Sequence, residues 1–210
     1  MKRTLVLTLG LLTATAVSVE AQLLNFPVYA TPSGEPATFL AAGYGRGLND
    51  ASGKLDAYGA AVGRTGIGNR VTVLGAAALI DSDPESEWTF AGAVGVDVLP
   101  AGGSAQVSVQ SGIGYFSPSD NFSLLHFPIG VALKGMIEGP TANVETWIMP
   151  RLSVVRTSNG TSNTETDFGV SGGFGVTLPS GFGIHTALDL LAVDPDNTWL
   201  LGVGVHYIIP

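Results

Sequence analysis

The sequence contains no cysteine, which excludes a disulfide framework, a cysteine-based metal site and a lipid-modified N-terminal cysteine. Charged residues are also scarce, because they make up 12% of the chain where soluble domains have about 25%. Basic residues are rarer than acidic ones, with nine Lys and Arg against 17 Asp and Glu. This balance predicts no nucleic-acid partner, since no basic surface is available to bind phosphates.

Long hydrophobic runs are absent as well. The mean hydropathy is +0.36, yet after the first 21 residues no segment approaches the ~18 apolar residues of a transmembrane helix. An apolar chain without such a segment can still cross a membrane with strands that alternate in polarity. The composition therefore favours an outer-membrane barrel.

The first residues have the order of a secretory signal peptide: basic Lys2 and Arg3, the short apolar run LVLTLGLL, and small residues up to Ala21. We predict cleavage after Ala21. The alternative, an N-terminal membrane anchor, is disfavoured because the apolar run is too short to span a bilayer. The predicted organisation is therefore a signal peptide at 1–21, an N-terminal extension at 22–36 and a barrel at 37–210.

Short segments of alternating polarity recur along the chain, separated by clusters of Gly, Pro, Asp, Asn and Ser. A strand of ~10 residues that is tilted by about 40° rises near 26 Å, close to the ~25 Å apolar band of a membrane barrel. We therefore predict an all-β, antiparallel, up-and-down transmembrane β-barrel. The alternative is an eight-strand barrel, in which the second and third segments are not separate strands. The ten predicted strands are 37–48, 55–65, 70–80, 88–99, 104–116, 123–137, 144–157, 166–178, 182–193 and 198–209.

The two faces of each predicted strand differ in the size of their side chains rather than in their charge. In SAQVSVQSGIGYF (104–116), one face carries bulky apolar side chains and the other carries mainly Ser, Gln and Gly. A soluble sheet would place charged residues on its wet face, whereas small residues suit the crowded interior of a narrow barrel. We therefore predict that the bulky face points outward to lipid and the small face points into the lumen.

Together, the signal peptide, the alternating strands and the closing WLLGVGVHYIIP resemble the small outer-membrane β-barrel proteins of Gram-negative bacteria, the group with OmpA-type and OmpW-type barrels. The resemblance implies residence in the outer membrane, contact with outer-membrane lipids, and recognition by the barrel-assembly machinery during biogenesis. Members commonly end on an aromatic residue, and this chain departs from that pattern by ending in Pro210.

Several mid-strand polar residues share the parity of the small face, so they are predicted to point inward. Such residues could line a permeation path or form a buried network that plugs the lumen, and we favour a narrow or closed lumen. The three histidines are too scattered for a metal site, and no cofactor is predicted. The candidate lumen network consists of Asp97, Lys134, Glu145, Arg151, His185 and Asp189.

The leading hypothesis is a non-enzymatic, porin-like outer-membrane protein with an envelope structural role or slow passage of small solutes. One alternative is an outer-membrane lipid-modifying enzyme, in which His126 would act with Ser123 and Asp120 at the lipid-facing rim. Another is a soluble secreted β-barrel that binds an apolar ligand, with the same alternation turned inside out.

Overall fold

Ten antiparallel strands close into a single barrel in the computed structural model, which describes residues 36–49, 56–82, 85–99, 105–119, 121–192 and 197–209. Each strand pairs with its neighbours in the chain, and β1 pairs with β10 to close the sheet. The predicted up-and-down barrel is confirmed. The strands are β1 Thr38–Gly47, β2 Asp56–Ile67, β3 Val71–Ser82, β4 Glu85–Asp97, β5 Ala105–Ser119, β6 Phe122–Ile137, β7 Asn143–Asn159, β8 Thr161–Thr177, β9 Phe182–Ala192 and β10 Thr198–Ile209.

A tight turn at 68–70 separates β2 from β3 and rules out the eight-strand alternative. Gly68 and Asn69 both have positive φ, at 58° and 66°, a conformation that Gly and Asn adopt at the least cost. The Asn69 N–H donates to the Gly66 carbonyl at 3.0 Å, and Ile67 then pairs with Val71. The chain thus reverses here instead of continuing as one long strand.

Side chains alternate between a buried inner face and an exposed outer face, most regularly in β6, β7, β9 and β10. In β10, Leu200 is fully buried while its neighbours Trp199 and Leu201 are 43% and 39% exposed. The outer face of the barrel is covered with large apolar side chains of this kind, including Val62, Phe90, Val109, Ile129, Leu152, Phe174, Ile184 and Val203. Such a continuous apolar exterior suits lipid and not water, so the outward orientation of the bulky face is confirmed.

The two ends of the barrel differ. We call one end the terminal end, because it contains the start of β1 and the end of β10; the turn at 178–181 is also there. We call the other end the hairpin end, because it contains Gly160, the turn between β7 and β8. The strands β7 and β8 are 17 residues each and extend the wall at the hairpin end. Our prediction that 158–165 (SNGTSNTE) forms a loop was wrong. These polar residues continue the ladder, with Ser158 paired to Ser162, because paired backbone groups are also stable above the bilayer.

The described residues contain no helix long and apolar enough to cross a membrane. The predicted signal peptide and almost all of the predicted extension at 22–36 lie outside the described residues. Both stay predictions.

Candidate functional site: the barrel lumen

Apolar side chains meet in the lumen at the hairpin end. They come from seven different strands and are at most 8% exposed. Hydrophobic constrictions in a pore can dewet and block ions. We call this group the hairpin-end cluster; it consists of Ala57, Ile80, Phe116, Phe122, Leu124, Val155, Leu191 and Leu200.

A second apolar cluster fills much of the lumen between the hairpin-end cluster and the terminal end. Trp147 and Met149 from β7 pack there with Phe39 and Leu74. Alanines of β3 and β4 that pack against this cluster are only partly buried, so open space remains along that wall. These alanines are Ala76, Ala91 and Ala93.

A charged pair within this apolar interior joins β7 to β9, the two neighbours of β8. The Arg151 guanidinium donates two hydrogen bonds to the Asp189 carboxylate, at 2.6 and 2.8 Å, and the Ser171 hydroxyl contacts both partners. The side chains of Arg151 and Asp189 are 1% and 0% exposed. Bidentate pairing supplies the strong geometry that a fully desolvated pair requires.

A second charged group lies nearer to the terminal end, on β4 to β7. The Lys134 ammonium is 3.4 Å from the Glu145 carboxylate, and both side chains are buried. On the adjacent strands, Gln106 is the ladder partner of Lys134, and Asp97 lies opposite Ser108. Four polar side chains on four consecutive strands thus line one wall of the lumen.

Two histidines from β9 and β10 meet near the terminal end. The Nδ1 atoms of His185 and His206 are 3.1 Å apart, and the two rings are nearly parallel, at 19°. Because an imidazole nitrogen cannot accept while it carries a proton, one ring donates and the other accepts. The hydroxyl of Thr177 lies 2.9 Å from Nε2 of His206 and extends this chain to β8.

Glycines make room for the histidine pair. In the ladder His185 lies opposite Gly204, and His206 lies opposite Gly183. A Cβ at either glycine would overlap the opposite imidazole ring. The pair therefore depends on the sequence G-x-H occurring in both strands, at 183–185 and 204–206.

The crowding at Gly204 predicts that an alanine there destabilises the barrel more than an alanine at an uncrowded glycine. We expect Gly204→Ala to lower the free energy of unfolding by about 1–3 kcal/mol, the usual cost of overpacking. Gly175→Ala is the matched control, since its Cβ would meet its nearest atom at 3.5 Å, an ordinary contact. Urea unfolding of both variants in detergent would measure the difference, and equal stabilities would contradict the assigned packing.

All six candidate lumen residues lie on the inner face, in separate groups. Asp189 pairs with Arg151, Glu145 pairs with Lys134, and Asp97 lies opposite Ser108. His185 hydrogen-bonds His206. Among the described residues, no group of three or more His, Asp or Glu side chains could hold a metal ion.

The pairing of His126 with Ser123 that was suggested for a lipid-modifying enzyme does not form. The His126 side chain is fully buried in the lumen, whereas Ser123 is three residues away on the opposite parity of β6. Asp120 lies outside the described residues. His126 instead lies beneath the hairpin-end cluster, one inward position from Leu124.

Sequence reasoning missed Ser171, Thr177 and His206 as partners in the lumen, as well as the apolar hairpin-end cluster. The repeated G-x-H at 183–185 and 204–206 was the available signal for the histidine pair. Two such triplets in consecutive antiparallel strands place each histidine opposite a glycine when the register is set by a short connection.

Comparisons with known proteins agree with this architecture. No protein-family model and no curated protein matches the sequence. Among solved structures, the β domain of the Bordetella autotransporter BrkA aligns with a TM-score of 0.51 at 12% identity, over 83% of this chain and 99% of that one. The chain shares the fold of that domain.

Two further solved structures align with lower scores. The N-terminal β-barrel domain of Pseudomonas aeruginosa OprF aligns at 13% identity with a TM-score of 0.40, over 83% of this chain and 100% of that one. Ail of Yersinia pestis aligns at 10% identity with a TM-score of 0.35, over 83% and 97%.

Proposed function

We propose that this protein is an integral outer-membrane barrel of a Gram-negative envelope, non-enzymatic and closed along its axis. The hairpin-end cluster is the observation that carries the closed lumen, because its side chains reach inward from seven strands and are almost fully buried. The apolar exterior supports the membrane setting. Outer-membrane lipids and the barrel-assembly machinery are its proposed partners.

An envelope structural role fits this interior better than solute passage. Below the hairpin-end cluster, the paired Arg151 and Asp189 join strands β7 and β9 across β8, and the buried Lys134 and Glu145 pair joins β6 to β7. Paired, desolvated charges of this kind bind each other and not a passing solute. The lumen thus stiffens the barrel and leaves little free polar surface for transport.

Bilayer conductance tests the closed lumen. We expect no resolved channel current from the wild-type barrel in a planar bilayer. Replacing Leu124 and Leu200 together with serine should produce a current, because both are fully buried members of the hairpin-end cluster and hydroxyl groups allow the constriction to wet. The control Leu201→Ser changes the outward neighbour of Leu200 and should leave the barrel silent.

A large wild-type conductance would contradict the closed lumen. A double variant that folds, as shown by a heat-dependent gel shift, and yet remains silent would contradict the hairpin-end cluster as the constriction that closes the lumen.

A further inference from the structure

One strip of the inner wall of the barrel is only partly covered by other side chains. Ala91, Ala93, Gly95 and Asp97 are successive inward residues of β4, and all of them are only partly buried. By contrast, the inward residues of β9 are all buried, and those of β6 are buried over 122–134. The lumen is therefore filled beside β6 and β9 and open along β4.

The opening extends onto the strands on either side of β4. On β3 the inward Thr72 and Ala76 are partly buried, and on β5 the same is true of Gln110 and Gly112. At about 3.4 Å per residue the partly buried part of β4 is about 20 Å long, and three strands are about 10 Å wide. We call this space the β4 cleft, and its floor is the inward face of β4 over 91–97. Its size suits one extended polypeptide chain.

The β4 cleft is closed and apolar at its deep end. Toward the hairpin end, the next inward residues of β3 and β4 are Ala78 and Thr89, which pair with each other and are 0% and 1% exposed. Alanines line the deepest level of the cleft, where Ala76 pairs with Ala91. The cleft opens at the terminal end, where β4 ends at Asp97. An occupant must therefore enter from the terminal end and be apolar at its tip.

The chain that leads into β1 reaches the barrel at this same end. The start of β1 is fixed to the rim, because the Ala37 N–H donates to Oγ1 of Thr65 at 3.3 Å, while the preceding Pro36 is exposed. Three strand spacings separate β1 from β4, which is about 14 Å along the wall. Residues 31–35 can span up to about 17 Å when extended. The residues before position 31 can therefore reach the mouth of the β4 cleft.

The sequence of this preceding segment matches the chemistry of the cleft. Residues 23–30, LLNFPVYA, contain no charged side chain, and the next charge toward β1 is Glu35. An extended chain of this length spans about 27 Å, which covers the cleft and its mouth. Packing its large side chains on the alanine wall removes apolar surface of both from water. The segment thus fits the cleft in length, in polarity and in position.

We propose that residues 23–30 fold back into the barrel from the terminal end and occupy the β4 cleft. Leu23 and Leu24 lie deepest, against the alanines of β3 and β4, and Tyr29 lies near the mouth beside Asp97. The segment narrows the lumen along one wall and leaves the hairpin-end cluster as the seal along the axis. This docking goes beyond the proposed function and does not depend on that seal.

Disulfide trapping tests the contact. Because the chain has no cysteine, Leu24→Cys with Ala93→Cys carries two thiols. The mature chain is folded in detergent micelles and oxidised with copper phenanthroline, and the internal disulfide is detected by denaturing gel mobility with and without reductant. The matched control is Leu24→Cys with Val94→Cys, because Val94 is the outward neighbour of Ala93 and is 44% exposed. We expect a yield at least about tenfold higher with Ala93, since cysteines whose Cβ atoms point apart do not form a disulfide.

Thiol labelling shows whether this segment, and not another occupant, covers the wall. A charged, water-soluble maleimide is added to the folded Ala93→Cys barrel with and without Leu24→Asp and Phe26→Asp. We expect labelling at least about ten times faster with the two aspartates, because they displace the segment and thiol reactivity follows exposure. Thr31→Asp with Ser33→Asp adds the same charge outside 23–30 and should not change the rate. Heat-dependent gel mobility verifies the folding of each variant.

Equal disulfide yields for Ala93 and Val94 would overturn the docking of the segment. An Ala93→Cys labelling rate that the two aspartates leave unchanged would overturn it as well, and would assign the β4 cleft to a separate apolar ligand. Neither result bears on the hairpin-end cluster, which the bilayer conductance tests separately.

Discussion

Replacing Asp189 with leucine should lower the free energy of unfolding by about 3–5 kcal/mol. The variant leaves the Arg151 guanidinium buried without a counter-charge, and Arg151 has almost no access to water. It also removes an acceptor of the Ser171 hydroxyl. Chemical unfolding of the barrel in detergent micelles, followed by tryptophan fluorescence, measures the effect.

A double variant separates the charge effect from the loss of packing. Arg151→Met with Asp189→Leu should recover most of the stability, because replacing a complete buried ion pair by apolar residues is often neutral or stabilising. A double variant as unstable as Asp189→Leu alone would show that packing, not the uncompensated charge, dominates.

Placing an arginine on the lipid face should also be strongly destabilising. Val109 points outward from β5 and is 42% exposed, and its ladder partner Val131 is central in β6. Val109→Arg should therefore cost about 2–4 kcal/mol, the range for a basic residue at the bilayer midplane. Unfolding in lipid vesicles, where the hydrocarbon region is present, measures this cost.

The adjacent residue is the matched control. Gln110 points into the lumen and is partly buried, so Gln110→Arg introduces the same charge at the same depth without contact to lipid. We expect a clearly smaller loss of stability. If the two variants lost the same amount, the arginine penalty would not depend on the barrel face.

The strands were predictable from the sequence because each one carries the alternation that a two-sided wall requires. The prediction failed where the environment changes, since 158–165 contains turn-forming residues that are nonetheless paired above the bilayer. Residue types indicate whether a segment lies in the membrane or in water. They do not indicate whether a water-exposed segment forms a strand or a loop. The prolines at 128 and 150 lie in predicted strands, and the pairs missing beside them lie within an unchanged register.

The inward direction of the lumen side chains was predictable from the sequence. Which of these side chains contact each other was not. The inward direction of Arg151 follows from its position between Pro150 and Leu152 in an alternating strand. Its bond to Asp189 depends on the registers of β7 with β8 and of β8 with β9, which are set by turn geometry and cannot be derived from residue types alone. The hairpin-end cluster escaped notice because Leu124, Leu191 and Leu200 are bulky residues on the face that was expected to carry small ones.

The central claim, that the bulky face meets lipid, is tested most directly by spin labels at four consecutive residues of β5. Single cysteines at 107, 108, 109 and 110 would be labelled in bilayer vesicles, and collisions with oxygen would be compared with collisions with a water-soluble nickel complex. We predict high oxygen accessibility at 107 and 109, and low accessibility to both at 108 and 110. Oxygen accessibility that peaked at 108 and 110, or nickel accessibility that peaked at 107 and 109, would show that the barrel is inside out.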